Sequence, residues 1–276
     1  VTARFTEVGD RVWVLRHPVL DVNVTLVPGG THALLVDTLS TAGQAAALRE
    51  AVRELTTLPL VLVNTHHHFD HCFGNTVLAG DPPGPVYAHE VTAGLLRDDP
   101  EGVRRRAYEE MREREPELAR QVRDTPILAP DRMVHGEATV DLGDRPVRLR
   151  HLGRGHTAGD LVVQVPDADL LVAGDLVEQG APPSFDDGYP VQWPDTVAAL
   201  LHLATPRTVV VPGHGAVVGT GQVRAQHAEL AALAWLIRDG HADGAPVERV
   251  AARAPFGPGP ASTAVRRGYA ELSGQL

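Results

Sequence analysis

The chain has 276 residues, 43% of them hydrophobic and 22% charged. That is enough for a real core in one large or two small domains, and the make-up is that of an ordinary soluble protein. A formal net charge of -10 argues against broad nucleic-acid binding, whose affinity comes mostly from neutralised phosphates. All 25 basic residues are arginine, which excludes Schiff-base chemistry on lysine.

The single cysteine, Cys72, excludes an intrachain disulfide and fits a reducing, cytoplasmic setting. No apolar run reaches the ~18 residues of a membrane span, and no signal-peptide pattern opens the chain. The chain starts at Val1 rather than methionine, which leaves room for a leader that has been removed.

Taken in order, Arg11–Leu15, Val22–Val27 and His32–Val36 read as strands rich in Val and Leu, punctuated by Asp10, Pro28-Gly29-Gly30 and Thr38. Ala42–Leu55 reads as a helix with Ala45, Leu48, Val52 and Leu55 on one face. Leu60–Asn64 is the next strand, and Pro85–Ala88 another. Residues 90–123 are helical, interrupted or restarted at Pro116. The Arg104-Arg105-Arg106 run is followed by five glutamates and reads as a solvated helix face.

From 132 to 173 the pattern returns to strands: Thr139–Leu142, Val147–Leu152, Leu161–Val165 and Leu170–Ala173. A helix at about 195–204 and the strand Thr208–Val211 follow. The tail is helical, and Pro255–Pro260 separates a short final helix. The hairpins look antiparallel, without a βαβ rhythm, and suggest sheets covered by helices.

The informative stretch is Thr65-His66-His67-His68-Phe69-Asp70-His71. His66 and His68 are two apart, so in an extended segment they share a face and can bind one metal. Asp70 and His71 follow where the strand pattern stops, and a turn there can aim them at a second metal. His156 lies in a Gly-rich loop and suits the role of third imidazole on the first metal. Asp175 ends an apolar run and has two oxygens with which to bridge both metals. His214, between two glycines, completes the second set. Nitrogen and oxygen donors with an open position suit two Zn2+, and iron or manganese can also be accommodated.

These residues resemble the metallo-β-lactamase superfamily. The likeness rests on Thr65–His71, on Gly155–Asp160 (Gly-His-Thr-Ala-Gly-Asp), on Ala173–Asp175 and on Pro212–Gly215, in that order, over roughly residues 10–220. It implies an α/β fold, a four-layer αβ/βα sandwich with the metals in a cleft at one edge of the sheets and a helical C-terminal tail. The expected organisation is a catalytic domain over 1–220 and a helical extension over 221–276 packed on it.

The resemblance also implies a bridging hydroxide as nucleophile, acting on a small ester, thioester, lactone or amide, with Asp70 orienting it and accepting its proton. The common zinc β-lactamases of this superfamily usually carry a cysteine ligand near the position of Asp175 and a nearby lysine for the substrate carboxylate; this chain has neither. It is closer in pattern to the hydroxyacylglutathione hydrolase and lactonase branch. The alternatives on the same fold are a mononuclear iron thiol or persulfide dioxygenase and, behind it, a nuclease or phosphodiesterase, for which an inserted domain or basic arm is missing. The expected partner is a small molecule, with no nucleic acid and no membrane, and oligomeric state stays open.

Around this set, His67 alternates away from its neighbours and is expected to be structural, and Cys72 to be a buried thiol. Asp37 either orients a metal-binding histidine through its second nitrogen or simply ends a strand. Thr157 and Asp160 are expected to hold the loop around His156. In the segment after Asp175, Phe185 and Tyr189 are candidate substrate contacts, Tyr189 also as a hydrogen-bond donor to an oxyanion, while Trp193 packs under the following helix. The remaining histidines (His17, His32, His89, His135, His151, His202, His227 and His241) are expected to be ordinary surface or core residues.

Overall fold

The computed structural model describes residues 4–276. The first half of the chain builds a seven-stranded sheet in sequence order: β1 (Phe5–Gly9), β2 (Val12–Arg16), β3 (Asn23–Pro28), β4 (Ala33–Val36), β5 (Leu60–Val63), β6 (Val86–His89) and β7 (Arg132–Val134). β1 to β4 pair antiparallel, whereas β4, β5, β6 and β7 run parallel. Parallel neighbours need a crossover. The helix α1 (Ala42–Arg53) makes the first, capped by the Thr41 side chain, which accepts from Gln44 N–H.

Before β6 lie the single turns α2 (Phe69–Cys72) and α3 (Asn75–Leu78). Before β7 lie α4 (Glu90–Asp98), α5 (Pro100–Met111) and α6 (Pro116–Asp124). The second sheet contains β8 (Glu137–Asp141), β9 (Pro146–Arg150), β10 (Val162–Val165), β11 (Leu170–Glu178), β12 (Val209–His214) and β13 (Val218–Gly219), in spatial order β13-β12-β11-β10-β9-β8. Only β11 and β12 are parallel there, joined through α7 (Trp193–Leu203). The antiparallel reading therefore holds for the hairpins and fails for β4 to β7 and for β11 with β12. Short, fully apolar strands carry no periodic mark of the direction of their neighbours.

The layers follow from period-two side-chain alternation with both faces apolar. In β4, Leu34 and Val36 face the second sheet, sharing a core with Leu149, Val163, Val172 and Val211. Ala33 and Leu35 face the other way, onto Leu48 and Val52 of α1. In β11, Leu170 and Val172 join the inter-sheet core while Leu171 and Ala173 pack under helices. The result is a helix–sheet–sheet–helix sandwich.

The tail forms α8 (Thr220–Ala242), α9 (Val247–Ala251) and α10 (Pro258–Leu272). Its Leu230, Leu233, Ile237 and Val265 share one core with Trp193 and Val197 of α7. The last helix is 15 residues long rather than short, because Pro258 and Pro260 stand in its first turn, where a missing N–H costs nothing. β1 carries no reading from the sequence; its Thr6 and Glu7 are exposed, so hydrophobic alternation does not mark it. No helix among the described residues is long and apolar enough to cross a membrane.

Candidate metal centre and its cleft

The strand β5 ends at Val63, and His66, His67 and His68 lie on irregular backbone beyond it. His66 and His68 thus meet through a loop, not through strand periodicity. His68 is the N-cap of α2, and that single turn turns Asp70 and His71 inward, both buried.

Buried amides fix the turn from behind. Asn64 Nδ2 donates to His71 O (3.1 Å) and to Asn75 Oδ1 (3.0 Å), and Thr38 N donates to His71 O (2.9 Å). On the opposite strand a β-bulge at Gly174, with φ +54°, re-aims Asp175. β11 continues through it to Glu178, so Asp175 sits inside the strand and not at its end. A side chain at Gly213 would run into Asp175 Oδ1. His214 is held by Asn23, whose Nδ2 donates to Pro212 O (3.0 Å) and Gly215 O (2.9 Å).

Each of the five imidazoles has one nitrogen engaged by the protein and the other pointing inward. His71 Nδ1 donates to Asp37 Oδ2 at 2.7 Å, His156 Nδ1 to Ser184 O at 3.2 Å, and His214 Nδ1 to Leu20 O at 2.7 Å. His68 Nε2 donates to Asp187 Oδ2 at 3.1 Å, and His66 Nδ1 lies 3.0 Å from Thr65 Oγ1. Carboxylates and carbonyls only accept, and the Thr65 hydroxyl gives its proton to Asp37, so each outer nitrogen carries a proton and the inner one, once deprotonated, offers its lone pair to a cation.

Tetrahedral ligands at about 2.0–2.1 Å from zinc stand about 3.3–3.4 Å from one another. In the first group His68 Nδ1 lies 3.1 Å from His66 Nε2 and 2.8 Å from His156 Nε2. Asp175 Oδ2 is 3.7 Å from His66 and 3.4 Å from His156. In the second, His71 Nε2 and His214 Nε2 are 3.3 Å apart and lie 3.7 and 3.5 Å from Asp70 Oδ2. Asp175 also reaches this group, at 3.2 Å from His71 and 3.3 Å from His214. Its Oδ1 is buried without a hydrogen-bond partner. The donor set therefore fits divalent metal at two adjoining points with Asp175 shared between them.

The electrostatics follow the same geometry. Burial works against a charged His71, but Asp175, Asp70 and Asp37 outweigh it and raise the group to about 9. Partial burial also works against a charged His214, but Asp175 above all raises it to about 11. Burial lowers His156 to about 3 despite Asp175. Burial would raise Asp175, yet His71 and His214 hold it well below the usual carboxylate range.

The centre opens into a cleft of about 600 Å³. Asp37 is confirmed as the orienting partner of a histidine and also accepts from Thr65 N–H and Oγ1–H, both at 2.8 Å. Thr157 N–H and Oγ1–H donate to Asp160, pinning the His156 loop. Cys72 is a buried thiol donating to His67 O and His68 O. His67 hydrogen-bonds Asp187 Oδ2 at 3.1 Å.

Two expectations are corrected. Phe185 is buried against Trp193 and Phe256 and faces the core, not a substrate. Tyr189 does not line the cleft; its ring lies under the guanidinium groups of Arg154 (5.0 Å) and Arg267 (5.8 Å), while its N–H donates to Gly155 O. Arg105 and Arg106 are exposed, as expected of a solvated helix face, and α5 also borders the cleft through Arg106, Glu110 and Met111. Sequence reasoning missed Asp187 and Glu178. Asp187 stood inside the loop singled out after Asp175, and Glu178 is the acidic end of an otherwise apolar strand.

The sequence profile of the metallo-beta-lactamase superfamily matches residues 17–214. The chain belongs to that superfamily. It is 28% identical over 189 residues to the acyl-coenzyme A thioesterase MBLAC2 of Gallus gallus, covering 66% of this chain and 63% of that protein. It is 26% identical over 181 residues to the probable metallo-hydrolase YqgX of Bacillus subtilis, covering 63% and 76%. Among solved structures, a metallo-beta-lactamase from Pontibacter korlensis superposes with a TM-score of 0.67 at 21% identity, over 83% of this chain and 99% of that one. Family, fold and donor clusters together define a metal-dependent hydrolase.

Proposed function

We propose that the chain is a dinuclear zinc hydrolase that cleaves a small ester, thioester, lactone or amide. The observation that carries this reading is the pair of donor groups at ligand-to-ligand spacing with one carboxylate common to both. His66, His68 and His156 would hold the first ion, Asp70, His71 and His214 the second, and Asp175 would bridge them. Imidazole-rich sets of this kind suit zinc. When bound, such a pair supplies a hydroxide nucleophile near neutral pH and polarises the carbonyl under attack.

The chain's own residues do the rest. Asp70, buried at the floor of the cleft, orients the attacking water and takes its proton. His68 is kept in register by Asp187, and His71 by Asp37. The position of Tyr189, outside the lining of the cleft, gives no support to an oxyanion role. The thioesterase named among the relatives supports a thioester as one substrate class, and the metallo-beta-lactamase IND-1 of Chryseobacterium indologenes places β-lactams among the compounds to screen.

The test is elemental analysis of protein purified without added metal or chelator, followed by a panel of ester, thioester, lactone and β-lactam substrates. About two zinc per chain with hydrolysis abolished in Asp70→Ala and His156→Ala is the expected result. About one iron per chain with oxygen uptake on a thiol would replace the reading with the dioxygenase.

A further inference from the structure

Glu178 is the last residue of β11 and has no part in the donor set just described. Its side chain is 7% exposed, and it lines the cleft. Its carboxylate has no hydrogen-bond or ion-pair partner among the described residues. Its backbone is held firmly: Glu178 N–H donates to Gln226 Oε1 at 2.9 Å, and Gln226 Nε2 donates to Leu176 O at 2.9 Å. Gln226 is buried on α8, so the C-terminal helices set the position of this carboxylate.

Glu178 stands beside two of the ligands and forms a third donor group with Asp175 and His214. Its donor atom falls within 4.8 Å of those of Asp175 and His214, but it stays outside the 4.0 Å of an ion pair with His214. Donor pairs that include the inner nitrogens of the two groups stand at 2.8 to 3.7 Å. Glu178 therefore stands at the edge of the second group, in the wall of the cleft.

Glu178 stands in the wall of the cleft with its carboxyl group reaching the open space, where a cation entering the cleft can pair with it. Of the other acidic groups there, Asp187 is engaged by His67 and His68 and Asp21 by Arg16, while Glu110 on α5 is exposed at the cleft. The two arginines that line the cleft lie elsewhere, Arg106 on α5 and Arg114 just beyond it, and Arg106 is bound to Asp99. No other arginine lines the cleft to receive a substrate carboxylate.

We infer that Glu178 is a specificity-determining residue that receives a positively charged amino group of the substrate close to the scissile carbonyl. The preferred substrate is then an ester, thioester, lactone or amide carrying a protonated or quaternary amine, rather than one carrying a carboxylate at that position. The inference rests on the cleft being the substrate site of the proposed hydrolase.

The experiment uses metal-loaded wild-type protein and Glu178→Gln, a change that keeps shape and removes charge. Two measurements are made on each. Calorimetry gives the Kd of butyltrimethylammonium and of its uncharged isostere, 2,2-dimethylhexane. Steady-state kinetics compares acetylthiocholine with 3,3-dimethylbutyl thioacetate, which differ only in the charge. A charged contact of this kind is expected to favour the cation roughly tenfold, in binding and through KM, and Glu178→Gln should bring both ratios near parity with metal content unchanged.

Three results overturn the inference: a cation preference that survives in Glu178→Gln, no preference in the wild type, or a fall in bound metal in the variant, which would make Glu178 a ligand. An equal loss of kcat on both thioesters would also overturn it, assigning Glu178 to proton transfer. If the cation binds through Glu178 but no substrate of the panel is cleaved, the hydrolase reading fails and only the cation site at Glu178 stands.

Discussion

Asp37 Oδ2 accepts from His71 Nδ1 at 2.7 Å, while the same carboxylate accepts from both donors of Thr65 at 2.8 Å. One buried side chain at the end of β4 thus sets the ring of a ligand in α2 and the backbone that launches His66. Asp37 adopts φ 67° to do so, a left-handed conformation that Asp tolerates better than most residues.

Asp37→Ala leaves three buried donors without an acceptor. Each orphaned group costs about 1–3 kcal/mol, and losing the partner of a ligating imidazole lowers metal affinity by roughly 10–100-fold. Thermal unfolding and chelator competition should show both losses together. A variant that holds metal as tightly as the wild type would remove Asp37 from the metal centre.

Asp187→Ala should separate these two effects. Asp187 is 44% exposed, and its Oδ2 serves His67 and His68 at 3.1 Å each. Its loss frees the His68 ring and should cut kcat/KM by roughly tenfold or more, while the melting temperature changes little. If stability collapsed and activity per folded molecule did not change, Asp187 would be a structural residue only.

The metal-free protein should respond to pH with a definite sign. His71 is raised to about 9 and His214 to about 11, above the ~6.5 of an imidazole in an unfolded chain. The folded metal-free state then holds more protons than the unfolded one. This stabilisation is full below about pH 6.5 and is lost as pH rises through about 9 and beyond. Chelated protein should therefore melt at lower temperature at about pH 9 than at about pH 7. Metal-loaded protein, whose imidazoles have given up those protons, should hold steadier, and metal binding should release protons, measurable by calorimetry in two buffers. A rise in the stability of chelated protein across that interval would contradict the charge state assigned to these histidines.

Tyr189→Phe should leave kcat within about twofold of the wild type, because the hydroxyl is outside the cleft and the ring keeps its place under Arg154 and Arg267. A large fall in kcat with unchanged KM would return Tyr189 to the reacting atoms.

Much of this protein is legible in its sequence for a local reason. Metal donors are few in kind and appear at short spacings, so His66, His68, Asp70 and His71 announce themselves within six residues. The apolar strands that precede His66, Asp175 and His214 mark the same edge of the fold. Other features depend on partners far away in the chain and leave no local trace. Strand direction is one, since Leu60–Val63 reads the same beside a parallel or an antiparallel neighbour. The partners of the ligands are another: Asp187 reaches His68 across 119 residues and Asn23 reaches Pro212 across 189.

Residue type and local spacing say which side chains can carry a cation and that the chain has apolar runs for sheets packed between helices. How those side chains are used follows from where the fold brings them. Residue type sets what an imidazole or carboxylate can bind, but whether it binds, orients a neighbour or waits for a substrate depends on a few ångströms. Those distances put Asp175 between two donor groups, Tyr189 under two arginines and Glu178, held by a glutamine of the C-terminal helices, alone in the wall of the cleft.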